Sequence, residues 1–143
     1  MASARTGLLP DRYSQERNGL AVTDEPIRLG ALEARVMDIL WEEGPGTVRE
    51  IIDHIDTNPA YTTIATVLGN LDKKGMVTIT RSRRSTVYSA GMTRAEYEAR
   101  QMACVLRQSP DRASSILHFV ETMPDSDLEI LRGYLQAKGK QSS

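Results

Sequence analysis

The chain is expected to fold as a mainly helical α+β protein, and three observations in its 143 residues lead there. Over residues 61–75 apolar side chains recur at helical spacing, and the period then switches to alternation in two short runs. Ahead of that stretch lie two more helical patterns, the second opened by a capping sequence. Beyond residue 92 every pattern is helical, short and amphipathic.

Residues 1–26 mix Ser, Arg, Asp, Asn, Gly and Pro with no sustained period, and Glu25-Pro26 closes them. Such composition predicts a disordered or loosely docked tail. A basic arm for the DNA minor groove, through Arg5, Arg12 and Arg17, is the alternative. From Gly30 to Glu43, Leu32, Val36, Ile39 and Leu40 form one stripe with Met37 and Trp41 beside it, and Gly44-Pro45-Gly46 stops the helix. Trp41, the sole tryptophan, is expected to plug the core. Thr47-Val48-Arg49-Glu50 reads as a capping box for a helix carrying Val48, Ile51, Ile52 and Ile55 and ending near Asp56. Asn58-Pro59 breaks the chain before Tyr61.

In the next helix Ile64, Val67, Leu68 and Leu71 share one face, while Thr63, Thr66, Asn70 and Lys73 share the other. Lys73-Lys74-Gly75 ends it with cations and a glycine. Met76 to Thr80 alternates as a half-buried strand does, and Thr86 to Ser89 returns across Arg81-Ser82-Arg83-Arg84-Ser85. No Asn-Gly or Asp-Gly marks that turn, so its type is not readable. Helix, break, helix, strand, basic tip and strand are together the order of a winged helix-turn-helix, assigned here to residues 27–91.

Residues 92–137 are assigned to a helical region. Thr93-Arg94-Ala95-Glu96 is a second capping box, after which Met92, Ala95, Ala99, Met102 and Leu106 space as an a/d seam. Ser109-Pro110 suits an N-cap followed by proline for a helix with Ile116, Leu117, Val120 and Met123. Ser126 to Glu129 is a third capping box, opening a last helix with Leu128, Leu131 and Leu135; residues 138–143 are expected to be a flexible tail. None of these helices can bury its stripe alone. Dimerisation through Met102, Leu106, Ile116, Val120, Leu128, Leu131 and Leu135 is expected, because paired winged helices match a palindromic site. A helical cap on a monomer is the alternative.

A net charge of −1 and a pI of about 6.1 exclude a general attraction to nucleic acid, so local charge has to carry that case. It is uneven: from Lys73 to Arg84 there are five cations and no acid. Thr63, Thr66 and Asn70 are the candidates for base edges, a Thr methyl meeting a thymine methyl and an Asn amide meeting adenine. Tyr61 and Thr62 at the helix start, with Lys73, Lys74, Arg81, Arg83, Arg84 and Arg49, are the phosphate candidates. Any of these cations can instead pair with a nearby acid.

One cysteine, Cys104, allows no internal disulfide and no cysteine-cluster metal site, and it is expected to be buried. His54 and His118 have no ligand partners at motif spacing, so no metal and no cofactor is expected. Neither a phosphate loop nor a nucleophile elbow is present, which argues against an enzyme. No run is apolar enough for a membrane span, and Gly7-Leu8-Leu9 before Pro10 is too short for a signal core; the cytoplasm is the expected location. A winged helix that meets an acidic protein partner, without reading DNA sequence, is the competing function.

Leu29-Gly30-Ala31-Leu32-Glu33, Val36-Met37, Leu40-Trp41, Thr47-Val48-Arg49-Glu50, Ala60-Tyr61-Thr62-Thr63-Ile64, Thr66-Val67-Leu68 and Leu71-Asp72-Lys73-Lys74-Gly75 resemble the BlaI/MecI/CopY penicillinase-repressor family. The likeness runs from Leu29 to Leu135 and is most specific at the Tyr-Thr-Thr start and Lys-Lys-Gly end of the recognition helix. It implies a homodimeric winged-helix repressor on palindromes with TACA/TGTA-like half-sites, relieved when a membrane sensor-protease is activated and the repressor is cut. The chain departs from that pattern in three places. It ends Lys-Gly-Lys-Gln-Ser-Ser, without the cysteines of the copper-responsive branch. His118-Phe119 stands where the family's cleaved bond is Asn-Phe, and Ala65 replaces a cation found in some recognition helices.

Overall fold

The computed structural model describes residues 25–142. Apart from Glu25 and Pro26, the expected tail, with Arg5, Arg12 and Arg17, lies outside the described residues. Eight elements follow: α1 (Ala31–Glu43), α2 (Val48–Asp53), α3 (Tyr61–Lys73), β1 (Val77–Arg81), β2 (Thr86–Ala90), α4 (Arg94–Gln108), α5 (Arg112–Thr122) and α6 (Asp125–Ser142). The result is α+β and mainly helical, with the winged helix-turn-helix order read from the sequence. The chain parts after Met102, inside α4, into two compact units.

In the first unit α1, α2 and α3 surround one core built from Val36, Met37, Leu40, Ile51, Ile64, Leu68 and Leu71, extended by Met76 and Val77 at the wing and by Ile27 ahead of α1. The helical members of this core are positions that the helical period selects, Ile27 is not among them, and each buried Leu or Ile contributes roughly 1.5–3 kcal/mol. Trp41 packs on this core as expected. Its indole Nε1 donates to the Met92 carbonyl at 2.9 Å and its ring lies 5.8 Å from that of Tyr97, so the polar edge is satisfied.

The capping box at α2 forms: Glu50 N–H donates to Thr47 Oγ1 at 3.2 Å and Thr47 N–H to Glu50 Oε1 at 2.9 Å. Contrary to the sequence reading, α2 stops at Asp53 and not near Asp56. The amides of His54 and Ile55 turn back to the carbonyls of Ile51 and Ile52, tightening the last turn to i→i+3 spacing. Ile55 stays buried beyond the helix, and Asn58 at φ 48° makes the sharp break before α3.

β1 and β2 pair antiparallel from Val77↔Ala90 to Arg81↔Thr86. The tip is Ser82–Ser85, closed by Ser82 N–H to the Ser85 carbonyl at 2.9 Å and by Ser82 Oγ to that same carbonyl at 3.1 Å. Hydroxyls thus do here what an Asn-Gly turn does elsewhere. An isolated bridge ties this two-stranded sheet to the loop after α1. Gly46 exchanges both backbone hydrogen bonds with Tyr88, at 2.9 and 2.8 Å. Gly44-Pro45-Gly46, which the sequence marks only as a stop, therefore also anchors the wing.

The capping box at α4 forms as expected, Glu96 N–H to Thr93 Oγ1 at 3.0 Å and Thr93 N–H to Glu96 Oε1 at 2.7 Å. Two other helix starts differ from the sequence reading. The N-cap of α5 is Asp111, not Ser109: its carboxylate takes Ser114 N–H at 3.1 Å and Ser114 Oγ at 2.7 Å, which holds its pKa below the usual carboxylate range. Ser109 Oγ instead accepts from the Asp111 N–H. The third capping box does not form, because α6 begins at Asp125 and Ser126 is already inside its first turn. The Pro124 carbonyl takes the N–H groups of Asp127 and Leu128. α6 continues to Ser142, so residues 138–142, read as a flexible tail, are helical. Lys138 and Lys140 in that stretch suit the negative end of the helix dipole.

Candidate nucleic-acid interface

The recognition-helix candidate α3 buries Ile64, Val67, Leu68 and Leu71 and leaves Tyr61, Thr62, Thr63, Thr66, Asn70 and Lys73 exposed. Thr63, Thr66 and Asn70 share one open face because their spacings of three and four residues nearly close a helical turn. Gly69 beside Asn70 has nothing within 4 Å of its Cβ position, so the backbone there is open to close approach. Ala65 is half-buried at the margin of the face. The helix starts at Ala60 without any side-chain cap, leaving its first N–H groups free to meet an anion. Beside that start, the Arg49 guanidinium stacks 5.5 Å from the centre of the Tyr61 ring. The two candidates therefore act as a pair and hold each other.

Arg81, Arg83 and Arg84 are exposed on β1 and the wing tip, with no ion-pair partner among the described residues. Lys73 is likewise unpaired there. Lys74 is a different case: it takes the acid partner that the sequence leaves open to any of these cations. Its Nζ lies 2.8 Å from Glu33 Oε1 and donates to the Arg28 carbonyl at 2.6 Å. That bond, and a second from Gly30 N–H, hold the Glu33 carboxyl below its ordinary pKa. Lys74 thus ties the end of α3 to the start of α1, its charge already matched by Glu33. Adjacent lysines look alike in sequence; only the fold brings Glu33, 41 residues away, to one of them.

Of the residues expected to dimerise, Met102, Ile116 and Leu135 are exposed, and Leu106, Val120, Leu128 and Leu131 are half-buried. Val105, Leu117, Ile130 and Tyr134, which the stripes did not single out for pairing, are exposed as well, Ile130 to 73%. Ala95 and Ala99 of the expected seam are also open. Within the second unit Cys104 is buried, as expected, and Arg107 Nη2 reaches its sulfur at 3.2 Å. His118 and Phe119 lie inside α5, both exposed, with His118 Nδ1 3.5 Å from Glu121 Oε1. Neither histidine has a group of acids or cysteine about it that can hold a metal, among the described residues. No described helix is long and apolar enough to cross a membrane.

A three-helix core carrying an open polar helix face beside a cationic hairpin defines a winged-helix protein of the DNA-binding kind. The chain belongs to the penicillinase repressor family, whose model matches residues 29–137. Two proteins called transcriptional regulator BlaI, from Mycobacterium tuberculosis strains CDC 1551 and H37Rv, are each 38% identical over 111 residues, covering 73% of this chain and 80% of theirs. The family is one of DNA-binding transcriptional repressors, not of enzymes. Among solved structures, the YusO protein of Bacillus subtilis matches at a TM-score of 0.43 and 14% identity, over 80% of this chain and 77% of that one. A MarR family protein from Bacillus stearothermophilus matches at 0.41 and 15%, over 80% and 75%. Those two likenesses carry no part of the functional reading.

Proposed function

We propose that the protein is a homodimeric repressor that reads a palindromic operator with α3 and grips the flanking phosphates with its wing. The observation that supports this most directly is the division of α3 into a buried apolar face and an open face of Thr63, Thr66, Asn70 and Lys73 next to Arg81, Arg83 and Arg84. An α-helix fits the major groove, where each base pair presents a distinct edge. Wing arginines release counterions and fix the register without reading sequence. Arg49 and Tyr61 act together at the start of α3, where backbone N–H groups also meet phosphate.

The two-fold arrangement follows from the exposed apolar faces of α4, α5 and α6, which a second copy of the chain covers in this reading. Half-sites of the TACA/TGTA kind are assigned from the family. Release by a membrane sensor-protease is the family's route. Here the matching bond, His118–Phe119, departs from Asn-Phe and sits in hydrogen-bonded helix, so cutting it requires α5 to open locally.

Binding to a duplex from the gene's own upstream region, followed by fluorescence anisotropy against salt beside a scrambled duplex, tests the proposal. Tight, salt-sensitive preference for the native duplex that is lost in Thr63→Ala supports it. Equal, weak binding to both duplexes refutes it in favour of a protein-contact module.

A further inference from the structure

Residues 27–30, ahead of α1, are held from three sides. The Gln101 side chain, on α4, pairs with both polar groups of the Ile27 residue: Ile27 N–H donates to Gln101 Oε1 at 3.0 Å and Gln101 Nε2 donates to the Ile27 carbonyl at 3.1 Å. Tyr97, one turn earlier on α4, adds its hydroxyl to the same carbonyl at 3.4 Å. The next carbonyl, that of Arg28, accepts from Lys74 at the C-cap of α3 at 2.6 Å. Lys74 also meets Glu33 Oε1 at 2.8 Å, and that one oxygen takes the Gly30 N–H at 2.7 Å. The Ile27 side chain is buried in the core, so the segment cannot slide.

An amide that satisfies the donor and the acceptor of a single residue fixes both distance and direction, as a strand partner does. Gln101 is uncharged, and neither it nor Ile27 is among the groups proposed to touch DNA. Its contacts join α4 to the end of α3 through two consecutive residues of backbone.

We propose that residues 27–30 are a strap that sets the angle between α3 and α4, and that Gln101 is a positioning residue for operator recognition. The inference rests on the repressor reading in one respect: α4 leads out of the winged unit towards the surfaces through which two copies pair. In a two-fold dimer the separation of the two recognition helices must match half-sites about one helical turn apart, roughly 34–36 Å. The α3–α4 angle is one of the quantities that fix this separation. Losing the strap therefore spares a single half-site and harms the pair.

The test uses the full chain with Gln101→Met, which removes both hydrogen bonds, and Gln101→Glu, which keeps the acceptor and loses the donor. Each is measured against the native operator, against duplexes with the spacer changed by one base pair, and against a single half-site. Gln101→Met should weaken operator binding by roughly 2- to 30-fold, the range for a residue that acts through a coupled network. Its half-site affinity and salt slope should match wild type, its preference for the native spacer should shrink, and Gln101→Glu should fall between. Operator binding and spacer preference equal to wild type in both variants overturns the proposal. So does a loss that is equal for half-site and operator. Amide hydrogen exchange supplies a readout without DNA: Gln101→Met should speed exchange in the last turn of α3, and unchanged exchange there also overturns the strap. Should wild type itself fail to prefer its operator, the repressor reading fails, while the exchange result still decides the strap.

Discussion

Lys73 and Lys74 are neighbours with the same chemistry, and the fold gives them different surroundings. Replacing each in turn by Met separates the two roles. Lys74 shares a 2.8 Å ion pair with Glu33, whose side chain is only 12% exposed, while Lys74 itself is 35% exposed. A charge-assisted hydrogen bond contributes up to about 1.5–3 kcal/mol, and a screened surface pair about 0–1. The solvent still reaching Lys74 puts this one near the lower range, roughly 1 kcal/mol, or about 4–8 °C in Tm for a unit of this size. Lys74→Met should therefore lower Tm and leave the salt slope of DNA binding alone. Lys73→Met should leave Tm alone and flatten the slope of log K against log salt by about 1.8 for the dimer, one phosphate contact from each copy. Thermal unfolding by circular dichroism and anisotropy titrations at several salt concentrations read the two quantities. The tie also has a pH signature. Because Glu33 is depressed below its ordinary value, it stabilises the fold above its unfolded-state pKa, and that contribution disappears as pH falls through the folded-state value. The stability gap between wild type and Lys74→Met should be full at neutral pH and close only in acid. A slope flattened by Lys74→Met with Tm unchanged would refute the assignment.

Other substitutions probe the remaining elements. Thr66→Ala should reduce preference for the operator over scrambled duplex by about 1–3 kcal/mol if the residue meets a base edge, without altering the salt slope; competition binding reads both. Arg83→Ala with Arg84→Ala should lower the slope by about 3.6 for the dimer, two contacts from each copy, and weaken all duplexes alike. Thr47→Ala removes the N-cap of α2 and should cost about 0.5–2 kcal/mol in chemical denaturation, with base preference intact. Leu131→Asp with Ile116→Asp should shift sedimentation from dimer to monomer at micromolar concentration; an unshifted profile would place the pairing surface elsewhere.

Periodicity made the first unit readable because its helices bury one face each. Val36, Met37, Leu68 and Leu71 lie in the core their spacing predicts, and the capping pairs Thr47–Glu50 and Thr93–Glu96 close as their sequences require. Legibility failed where a local signal had a local competitor. Ser109 lost its helix to Asp111, whose carboxylate is the stronger acceptor, and Ser126 was overtaken by the turn that Pro124 starts. Long-range partners left no trace at all. Gln101 meets Ile27 across 74 residues, and nothing in either neighbourhood announces it. The open face of α3 was legible by default, since the positions that do not carry core residues are the ones left for a ligand.

The way the wing is attached has a mechanical consequence. α3 is seated on a packed interior of Leu, Ile and Val side chains, and the base of the wing joins that interior through Val77, Tyr88 and Ala90, whereas its Ser82–Ser85 tip is exposed. In the proposed reading the helix that meets bases thus sits on the core, and Arg83 and Arg84, which meet phosphates, stand on the exposed tip. In that reading the long arginine side chains on the tip can follow small changes in groove width from one operator copy to the next while the helix stays in register.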